Sequence, residues 1–598
     1  MTSANTGALT GPNQSIEGVP LRSLQPRIVL KFGSSVLQDP SDVPTAVHEI
    51  YRYVRAGYQV LAVVSAIGST TDELLEGAHS ILDQHPVGTA RASVASLLAT
   101  GELHSVALLA LGLARAGLPS LRLDDTRTWI RTSGDPLDAD PIGLDTQALE
   151  RSFQEHTIAI LPGFVGVDPA GNTTVLGRGG SDLSALYVAW KWSAERCRLL
   201  KDVDGVYDTD PNEGIGRRFQ TLSWTEALER ERQVLQTKAL EFANRHRLNF
   251  EVGTPLHSGG TTIGVKTTRR VVASNSRPRL RVGLLGHGTV GGGVAHRLAA
   301  LSDRFELVRI AVQDIEKHVT VENKELLTTD WREVIAAKPD VIIECIGGVT
   351  TASDIIREAL HAGCHVITAN KAVVAAQGRS FRALAEREGL SIRYGASVGG
   401  VAPFLERVDA LRASTEITSV NGVINGTCND VLDRIGQGAS FPEAIQAAQE
   451  AGFAEADPSR DVDGVDAAEK LAILIHHAFG EEASVSDISC EGIATLDEHA
   501  IRRAQRTGRR FRLVATAERT ALGIRASVRP VILPNTHPLA RVGGAENRLL
   551  VRTRGDQRWT IDGTGAGRWP TTEAIIGDLL ALANVRETID PDTQEVIR

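Results

Sequence analysis

The chain has 598 residues, of which 42% are hydrophobic and 23% charged, and its formal net charge is −9 at pH 7. This length exceeds what one hydrophobic core supports, so we expect two or more domains with an ordinary globular composition. The acidic balance offers no basic surface for nucleic acid, and no apolar run approaches the roughly 20 residues that span a bilayer.

The first 26 residues are polar and rich in Gly, Ser and Asn. They lack a basic region followed by an apolar run, so they predict a disordered arm and not a signal peptide. The cysteines form no CxxC pair, which argues against a zinc ribbon or a disulfide framework and favours a reducing, cytoplasmic compartment. We expect each to pack as a small buried side chain; they are Cys197, Cys345, Cys364, Cys428 and Cys490.

Short β-branched runs bounded by glycine alternate with segments rich in alanine and leucine along the chain. This alternation predicts α/β domains with largely parallel sheets. Residues 266–279 carry basic residues, Ser, Asn and Pro between two strand-like runs, so they predict a linker between a domain over 27–265 and the remainder of the chain.

The first half contains LKFGSSVL, AVVSAIGSTTDELL, ATGELHS, TTVLGRGGSDLSA and KDVDGVYDTDPN. Phosphoryl transfer needs such parts: glycine turns whose amides face phosphates, a lysine for the moving group, and carboxylates that meet Mg²⁺. In GRGGSD a guanidinium, glycines and a helix-capping Ser/Asp pair occur together, which indicates an anion-binding turn.

Over residues 27–265 these motifs resemble aspartokinase, of the amino-acid kinase family, which implies a three-layer α/β kinase domain that uses ATP with Mg²⁺. By position, Lys31 would stabilise the transferring phosphoryl group and Asp182 would orient the groups around it. The resemblance implies residues that hold aspartate: Ser65, Thr71, Glu102 on the amino group, Arg178 on a carboxylate, and Ser181. It also implies a nucleotide-binding set: Gly33, Asp202 and Tyr207.

This half departs from the family pattern at several positions. Lys201 stands in place of an ATP-side threonine, Asn212 in place of an arginine, and Gln233 in place of a phosphate-binding lysine. Each lost charged contact would cost about 1.5–3 kcal/mol of nucleotide affinity. Two interpretations remain, namely an active kinase with altered nucleotide binding, and a kinase-like scaffold without activity.

The second half opens with RVGLLGHGTVGGGV, which predicts a strand, a tight turn and a helix. Gly286, Gly288 and Gly291 fit GxGxxG, so a dinucleotide's pyrophosphate is expected at the helix N-terminus, beside Thr289 and Val290. The next strand ends before Asp314, which would favour NAD, but Lys317 follows closely and would favour NADP. The choice between NAD and NADP stays open.

Further motifs follow in series: DVIIECIGG, HVITANK, NGVINGTCND, GFAEADPSRDVDGVDAAEK and GTGAGRWPTTEA. In this order they resemble homoserine dehydrogenase across residues 280–598. The resemblance implies a Rossmann NAD(P)-binding domain over 280–408, an α+β substrate and dimerisation domain over 409–555, and a C-terminal segment, 556–598, that returns to the nucleotide-binding domain. It also implies a homodimer.

Reduction of an aldehyde needs a proton donor for the carbonyl oxygen, and lysine can serve. Asp466 and Lys470 are four residues apart, so they share one face of a helix, and the carboxylate can orient the ammonium. By position they match the family's catalytic pair, Lys371 matches a second lysine at the substrate, and Glu455 matches the glutamate that binds the homoserine amino group. The remaining cofactor residues are Thr368, Asn370 and Gly565. Gly395 replaces a glutamate that helps hold a monovalent cation, which leaves metal binding open.

Aspartokinases carry paired regulatory ACT domains after the kinase domain, yet here only a short linker precedes RVGLLG. Within 30 residues after GTGAGRWPTTEA the sequence ends, which leaves too few for such a domain. We therefore expect a bifunctional enzyme that phosphorylates L-aspartate and reduces L-aspartate 4-semialdehyde to L-homoserine, without feedback inhibition by threonine or lysine. The alternative is a homoserine dehydrogenase with a weak or inactive kinase-like scaffold.

Overall fold

The computed structural model describes residues 25–82, 90–125, 130–209, 217–230, 235–264, 266–272, 279–318, 324–454, 457–565 and 567–589. Most of the predicted N-terminal arm, together with Asn212, Gln233 and Glu455, lies outside these ranges. The described chain forms a kinase-like α/β domain, a dinucleotide-binding α/β domain and an α+β domain, in the predicted order.

The kinase-like domain is a three-layer α/β/α sandwich. Its strands are β1 (Arg27–Phe32), β2 (Gln59–Val64), β3 (Ser120–Arg122), β4 (Ile130–Asp135), β5 (Asp138–Gly143), β6 (Ile158–Pro162), β7 (Val165–Val167), β8 (Thr173–Val175), β9 (Arg196–Leu200), β10 (Arg217–Ser223), β11 (Phe250–Gly253), β12 (Thr261–Gly264) and β13 (Arg269–Val272). Its helices are α1 (Val43–Arg55), α2 (Thr70–Leu82), α3 (Arg91–Ala116), α4 (Thr146–Glu155), α5 (Gly180–Lys191), α6 (Trp224–Glu229) and α7 (Thr237–His246). The main sheet has the order β13-β10-β12-β11-β9-β1-β2-β6-β3, and β5-β4-β7-β8 form a smaller sheet.

Strand β1 is buried on both faces of the main sheet, as a central parallel strand should be. Ile28, Leu30 and Phe32 face the core under α1 and α3, whereas Val29 belongs to the core under α5 and α7. Because side chains alternate along a strand, Lys31 lies on the same side as Val29, towards α5. This alternation decides which helix meets the lysine.

The domain limits differ from the sequence expectation at two places. The predicted linker contains β13, which pairs antiparallel with β10 and extends the kinase-like sheet at its edge. The predicted C-terminal segment begins with a strand, 558–564, that pairs within the α+β domain. Short linker-like runs of this kind become strands when an unpaired sheet edge is available to them.

The dinucleotide-binding domain is a parallel sheet with the order β16-β15-β14-β17-β18-β19. Its strands are β14 (Leu280–Leu285), β15 (Phe305–Ala311), β16 (Leu327–Thr328), β17 (Val341–Glu344), β18 (His365–Thr368) and β19 (Ile392–Arg393). Its helices are α8 (Thr289–Ala300), α9 (Trp331–Ala336), α10 (Thr350–His361) and α11 (Lys371–Arg387). The carboxyl ends of β14, β17 and β18 meet at one edge, where open α/β sheets bind ligands.

The α+β domain packs helices on a mainly antiparallel sheet of order β21-β23-β22-β20-β24-β25. Its helices are α12 (Phe404–Ser414), α13 (Gly426–Gln437), α14 (Phe441–Glu450), α15 (Ser459–Val462), α16 (Val465–Phe479) and α17 (Glu498–Arg506). Its strands are β20 (Ile417–Val423), β21 (Ser489–Cys490), β22 (Arg509–Thr520), β23 (Gly523–Pro534), β24 (Glu546–Thr553) and β25 (Arg558–Thr564). After it, α18 (Arg568–Ile589) packs on α8 of the dinucleotide-binding domain.

The sequence analysis expected no apolar run as long as a membrane span, and helix α3 corrects this. By length and composition alone, α3 is long and apolar enough to cross a membrane. Half of its most apolar window is buried inside the protein. The helix lies against the main sheet of the kinase-like domain, and its buried residues include the charged Glu102. The buried core helix of a domain can be as long and as apolar as a membrane-spanning helix.

Candidate active sites

In the kinase-like domain, Lys31 and Asp182 form a buried ion pair. Lys31 stands near the carboxyl end of β1, and its Nζ lies 2.7 Å from Asp182 Oδ1. Asp182 lies in the first turn of α5, where the helix dipole favours a carboxylate. The turn before α5 is made by Gly177 and Gly179, both with positive φ, as residues of a tight anion-binding turn often are. The structure therefore brings the two predicted transfer residues together.

A second lysine contacts the same carboxylate. Lys201 follows β9, the parallel neighbour of β1, and its Nζ donates to Asp182 Oδ2 at 2.8 Å. Burial would raise the pKa of Asp182, but the two ammonium groups outweigh it and hold that pKa below its ordinary value. Burial lowers the pKa of Lys31, against the raising effect of Asp182. Two lysine side chains around one carboxylate, in a buried place, suit an anion.

Glu102 of α3 contributes a second carboxyl to this site. The side chain is buried, and burial raises its pKa to about 8, against the opposing effects of the Ala66 amide and the Lys31 ammonium. One carboxyl oxygen, Oε2, is buried without a hydrogen-bond partner in the described structure. A buried carboxyl oxygen without a partner near Lys31 is suited to receive a cationic group of a ligand.

The other predicted kinase residues surround this cluster at different depths. Ser65 is buried directly after β2, and Thr71 is half-buried in the first turn of α2. Ser181 is half-buried at the start of α5, while Arg178 is exposed on the turn before it. Gly33 follows β1, where a Cβ would lie 3.1 Å from Lys31 Nζ.

In the predicted nucleotide segment, Asp204 and not Asp202 makes the structural contacts. Tyr207 donates to Asp204 Oδ1 at 2.5 Å, and Arg218 Nη1 donates to Asp204 Oδ2 at 3.1 Å. Asp202 is exposed. Within the described residues, no three His, Cys, Asp or Glu side chains are placed to hold a metal ion.

The glycine fingerprint of the second half forms the predicted turn between β14 and α8. A Cβ at Gly286 would lie 2.7 Å from the Cys345 carbonyl oxygen, and one at Gly291 would lie 1.9 Å from the Gly286 carbonyl oxygen. Both positions therefore require glycine for packing. Gly288, which precedes Thr289 and Val290 at the start of α8, faces open space. The open space in front of a helix N-terminus fits a dinucleotide pyrophosphate.

The neighbouring strand ends form a hydrogen-bonded support for this cofactor edge. Glu344, the last residue of β17, accepts from Thr368 Oγ1 at 2.5 Å and from the amides of Ile346 and Gly347. Asn370 caps α11 and donates to the Gly348 carbonyl oxygen at 2.6 Å. Glu344 was not among the predicted residues, although a carboxylate directly after the apolar run VII is a recognisable signal.

Asp466 is the centre of the candidate dehydrogenase site. Its Oδ2 lies 2.8 Å from Lys470 Nζ, and its Oδ1 lies 3.1 Å from Lys371 Nζ. Lys470 also donates to the Ile424 carbonyl oxygen at 2.9 Å. Burial would raise the pKa of Asp466, but the two lysines outweigh it and lower that pKa. The same two lysines, from α11 and α16, thus meet between the dinucleotide-binding and α+β domains.

Two polar residues near Asp466 were missed by the sequence reasoning. Asn425 Nδ2 donates to Asp466 Oδ2 at 2.8 Å and to Asp461 Oδ1 at 2.7 Å. Burial and the Asp466 charge raise the pKa of Asp461. Asn425 occurs in the quoted motif NGVINGTCND and caps the N-terminus of α13, shortly after β20. An asparagine between a strand and a helix was the signal available for it.

Gly565 and Gly395 lie close to these sites but differ in their surroundings. A Cβ at Gly565 would lie 1.6 Å from Asn547 Nδ2, so the turn after β25 requires glycine. A Cβ at Gly395 would lie 2.6 Å from Glu406 Oε1. The Gly395 amide donates to Asp578 Oδ2 at 3.1 Å, so a side chain at this position would enter a group of carboxylates.

The cysteines are more varied than expected. Cys197, Cys364 and Cys428 are buried, Cys345 is half-buried and Cys490 is exposed. Burial raises the pKa of Cys364 to about 11. Burial also raises the pKa of the Cys490 thiol, with the Asp463 charge adding to the effect. The expectation of uniform burial was wrong for Cys490, because β21 lies at the edge of its sheet.

Three family models match this chain. Residues 26–253 match the amino acid kinase family, residues 286–395 match the NAD-binding domain of homoserine dehydrogenase, and residues 403–580 match homoserine dehydrogenase itself. The three matches follow the order of the three domains described above, and the last match includes the first part of α18.

Curated relatives match about half of this chain. A homoserine dehydrogenase from Bacillus subtilis is 36% identical over 314 residues, which cover 51% of this chain and 72% of that protein. An NAD(+)-dependent homoserine dehydrogenase from Pseudomonas canavaninivorans is 37% identical over 230 residues, covering 38% of this chain and 65% of that protein. The first of these relatives is similar enough, over enough of its length, to establish the family.

Among solved structures, a homoserine dehydrogenase from Thiobacillus denitrificans has a TM-score of 0.50 and 34% identity, and the match covers 53% of this chain and 76% of that one. For the second half of the chain, the cofactor edge, the Asp466 cluster and these matches all indicate a homoserine dehydrogenase. This chain belongs to the homoserine dehydrogenase family and carries, in front of that dehydrogenase, a domain of the amino acid kinase family, as a bifunctional aspartokinase/homoserine dehydrogenase would.

Proposed function

We propose that the chain has two activities, an aspartate kinase in its first domain and an NAD(P)-dependent reduction of L-aspartate 4-semialdehyde to L-homoserine in its second half. The Lys31–Asp182–Lys201 cluster carries the kinase proposal, because two cations around one buried carboxylate form a place for a phosphoryl group. The amino acid kinase match supports it.

In the kinase reaction, an oxygen of the aspartate 4-carboxylate attacks the γ-phosphorus of Mg²⁺-ATP, and ADP leaves with the electrons of the broken P–O bond. Lys31 and Lys201 would neutralise the charge on the transferring group, which is how proteins accelerate phosphoryl transfer. Asp182 would hold both ammonium groups in place. Glu102 would take the substrate ammonium and Arg178 its 1-carboxylate.

In the dehydrogenase reaction, the nicotinamide would supply a hydride to the aldehyde carbon. Lys470 would give a proton to the carbonyl oxygen, and Asp466 would orient Lys470 and Lys371 at that oxygen. Glu344, Thr368 and Asn370 would hold the loops that face the nicotinamide.

An assay of the purified chain tests the kinase proposal directly. Aspartyl hydroxamate formation with ATP, Mg²⁺ and aspartate measures acyl phosphate production, and omission of aspartate is the control. We expect aspartate-dependent turnover that is lost in Lys31→Ala. Absence of turnover in the unaltered chain, at millimolar ATP and aspartate, would refute it.

A second candidate function is a kinase-like scaffold that supports an active dehydrogenase. The departures at Asn212 and Gln233, and the contacts of α18 with α1 and α3 of the kinase-like domain, favour this alternative. The same hydroxamate assay decides between the two, while initial rates with NADH and NADPH establish the cofactor of the dehydrogenase.

A further inference from the structure

Helix α18 is buried between two domains. On one side it packs on the cofactor helix α8, where a Cβ at Gly293 would lie 2.3 Å from Thr572 Oγ1. On the other side it packs on α1 of the kinase-like domain, where a Cβ at Gly577 would lie 2.9 Å from Tyr51 Cε1. A helix that is covered on opposite sides is part of an interior and not of a surface.

Two acidic side chains of α18 are buried at this boundary. Glu573 Oε2 lies 2.8 Å from Nε2 of His48 in α1, and Glu573 Oε1 lies 2.5 Å from Nη2 of Arg297 in α8. Burial would raise the pKa of Glu573, but His48 and Arg297 outweigh it and lower the pKa to about 2. The kinase-like and dinucleotide-binding domains therefore share one carboxylate.

Arg55 of α1 forms the second buried group. Its guanidinium contacts Asp578 of α18 and lies 2.6 Å from Glu406 Oε1 of α12. Asp578 also accepts the amide of Gly395, and the Arg55 side chain is 10% exposed. Burial and the charge of the half-buried Glu406 raise the pKa of Asp578, and Arg55 opposes both. Removing the guanidinium would leave these two carboxyl groups together without their shared cation, which is unfavourable.

The two domains also exchange apolar side chains. Leu256, from the loop after β11, belongs to the core cluster of the dinucleotide-binding domain. Glu49 accepts its amide at 2.7 Å, and Arg304 of the dinucleotide-binding domain donates to its carbonyl oxygen at 2.6 Å. In the opposite direction, Val401 belongs to the core cluster formed by α1, α3 and the main sheet. Each core is thus completed by a residue of the other domain.

This contact reaches the cofactor edge through α3. The helix ends at Ala116 and is capped by Gly117, where a Cβ would lie 2.7 Å from Thr564 Cβ, directly before the Gly565 turn. Two residues before Gly117, the guanidinium of Arg115 lies 4.8 Å from the centre of the Trp569 ring. On the other side of that turn, a Cβ at Gly400 would lie 2.8 Å from the Thr564 carbonyl oxygen.

We infer that α1, α3 and the Leu256 loop of the kinase-like domain complete the dinucleotide-binding domain, so that cofactor affinity of the dehydrogenase depends on the kinase-like domain even without any kinase substrate. The surface involved is an intramolecular interface, and its partner is fixed as the other half of the same chain. This dependence is separate from kinase catalysis and would hold for an inactive kinase-like domain as well.

The test uses the full chain with Arg55→Met, and measures NADPH and NADH dissociation constants by fluorescence titration together with thermal unfolding. We expect at least tenfold weaker binding of the preferred dinucleotide and a lower unfolding temperature. Arg245→Met, at an exposed position of α7 in the same domain, is the matched control and should leave both values unchanged. The triple variant Arg55→Met/Glu406→Gln/Asp578→Asn removes the buried charges together and should recover most of the lost affinity.

Dinucleotide binding by Arg55→Met within twofold of the unaltered chain would overturn the inference. If Arg55→Met is insoluble and the triple variant is soluble, Leu256→Ala is titrated as well and decides the inference, because solubility does not report dinucleotide affinity. If both are insoluble, Leu256→Ala decides: a dissociation constant at least threefold higher supports the inference, and an unchanged one overturns it.

Discussion

Lys201 Nζ lies 2.8 Å from Asp182 Oδ2, on the opposite side of the carboxylate from Lys31. The sequence comparison with aspartokinases presents Lys201 only as a departure at an ATP-side position. In the structure this lysine faces Lys31 and Asp182, the residues proposed for phosphoryl transfer, because β9 is the parallel neighbour of β1 and both strands end at the same edge. The departure therefore adds a positive charge where the proposed reaction needs one.

Lys201→Thr tests that role. We expect the kinase kcat to fall about 10- to 100-fold, since one charge-assisted contact to the transferring group, about 1.5–3 kcal/mol, is lost. The KM for aspartate should change little. Lys191→Met, in the last turn of α5, is the control and should behave like the unaltered chain in the hydroxamate assay. An unchanged kcat in an active Lys201→Thr enzyme would contradict the assignment.

Lys470→Ala addresses the dehydrogenase. Loss of the general acid should lower kcat about 10²- to 10⁴-fold, with the dissociation constant of NAD(P)H within twofold of its original value. The measurement is homoserine oxidation and aspartate semialdehyde reduction in parallel. Lys324→Ala, an exposed position of the dinucleotide-binding domain, supplies the control. If Lys470→Ala keeps more than a tenth of the original kcat, Lys470 is not the general acid.

The pH profile of the kinase should reflect Glu102. Burial raises its pKa to about 8, so the free enzyme holds a neutral carboxyl below that pH and a carboxylate above it. Because the carboxylate would bind the ammonium of aspartate, kcat/KM for aspartate should rise with pH up to about 8. Glu102→Gln should lose this rise and increase the KM, while the dehydrogenase profile stays the same. If kcat/KM for aspartate of the unaltered chain does not change from pH 6.5 to 8.5, Glu102 does not bind the ammonium of aspartate as a carboxylate.

Asp314 and Lys317 are the residues expected to determine the preference for NADH or NADPH. They lie after β15 as an ion pair at 3.8 Å. Removing the carboxylate in Asp314→Ala should raise the ratio of kcat/KM for NADPH to that for NADH, because repulsion of the 2′-phosphate is lost. Lys317→Ala should lower the same ratio. If neither substitution changes the ratio by more than twofold, the adenosine ribose lies elsewhere.

The sequence predicts the parts of this protein that depend on local spacing. Asp466 and Lys470 share a helix face four residues apart, and Gly286 and Gly291 sit at fixed intervals in one turn, so both arrangements follow from short-range geometry. The order of the domains follows in the same way from motifs in series.

The remaining features depend on tertiary packing, which spacing does not encode. Asn425 bridges Asp461 and Asp466 across 36 and 41 residues, and Arg55 meets Asp578 across 523. Strand β13 was predicted as linker, because its pairing depends on an edge that another part of the chain provides. Polar contacts between distant segments are therefore the part that sequence reasoning missed.

The burial of α18 has a consequence for the order of folding during synthesis. The kinase-like domain leaves the ribosome first, whereas the dinucleotide-binding domain, which starts at β14, lacks its last helix until residues 568–589 emerge, roughly 15–60 s later at usual elongation rates. During that interval the sides of α1 and α8 that α18 later covers stay open to solvent. We expect ribosome-bound chains arrested after residue 565 to resist protease over the kinase-like domain and to be cleaved within 280–408; equal resistance of both would contradict this order.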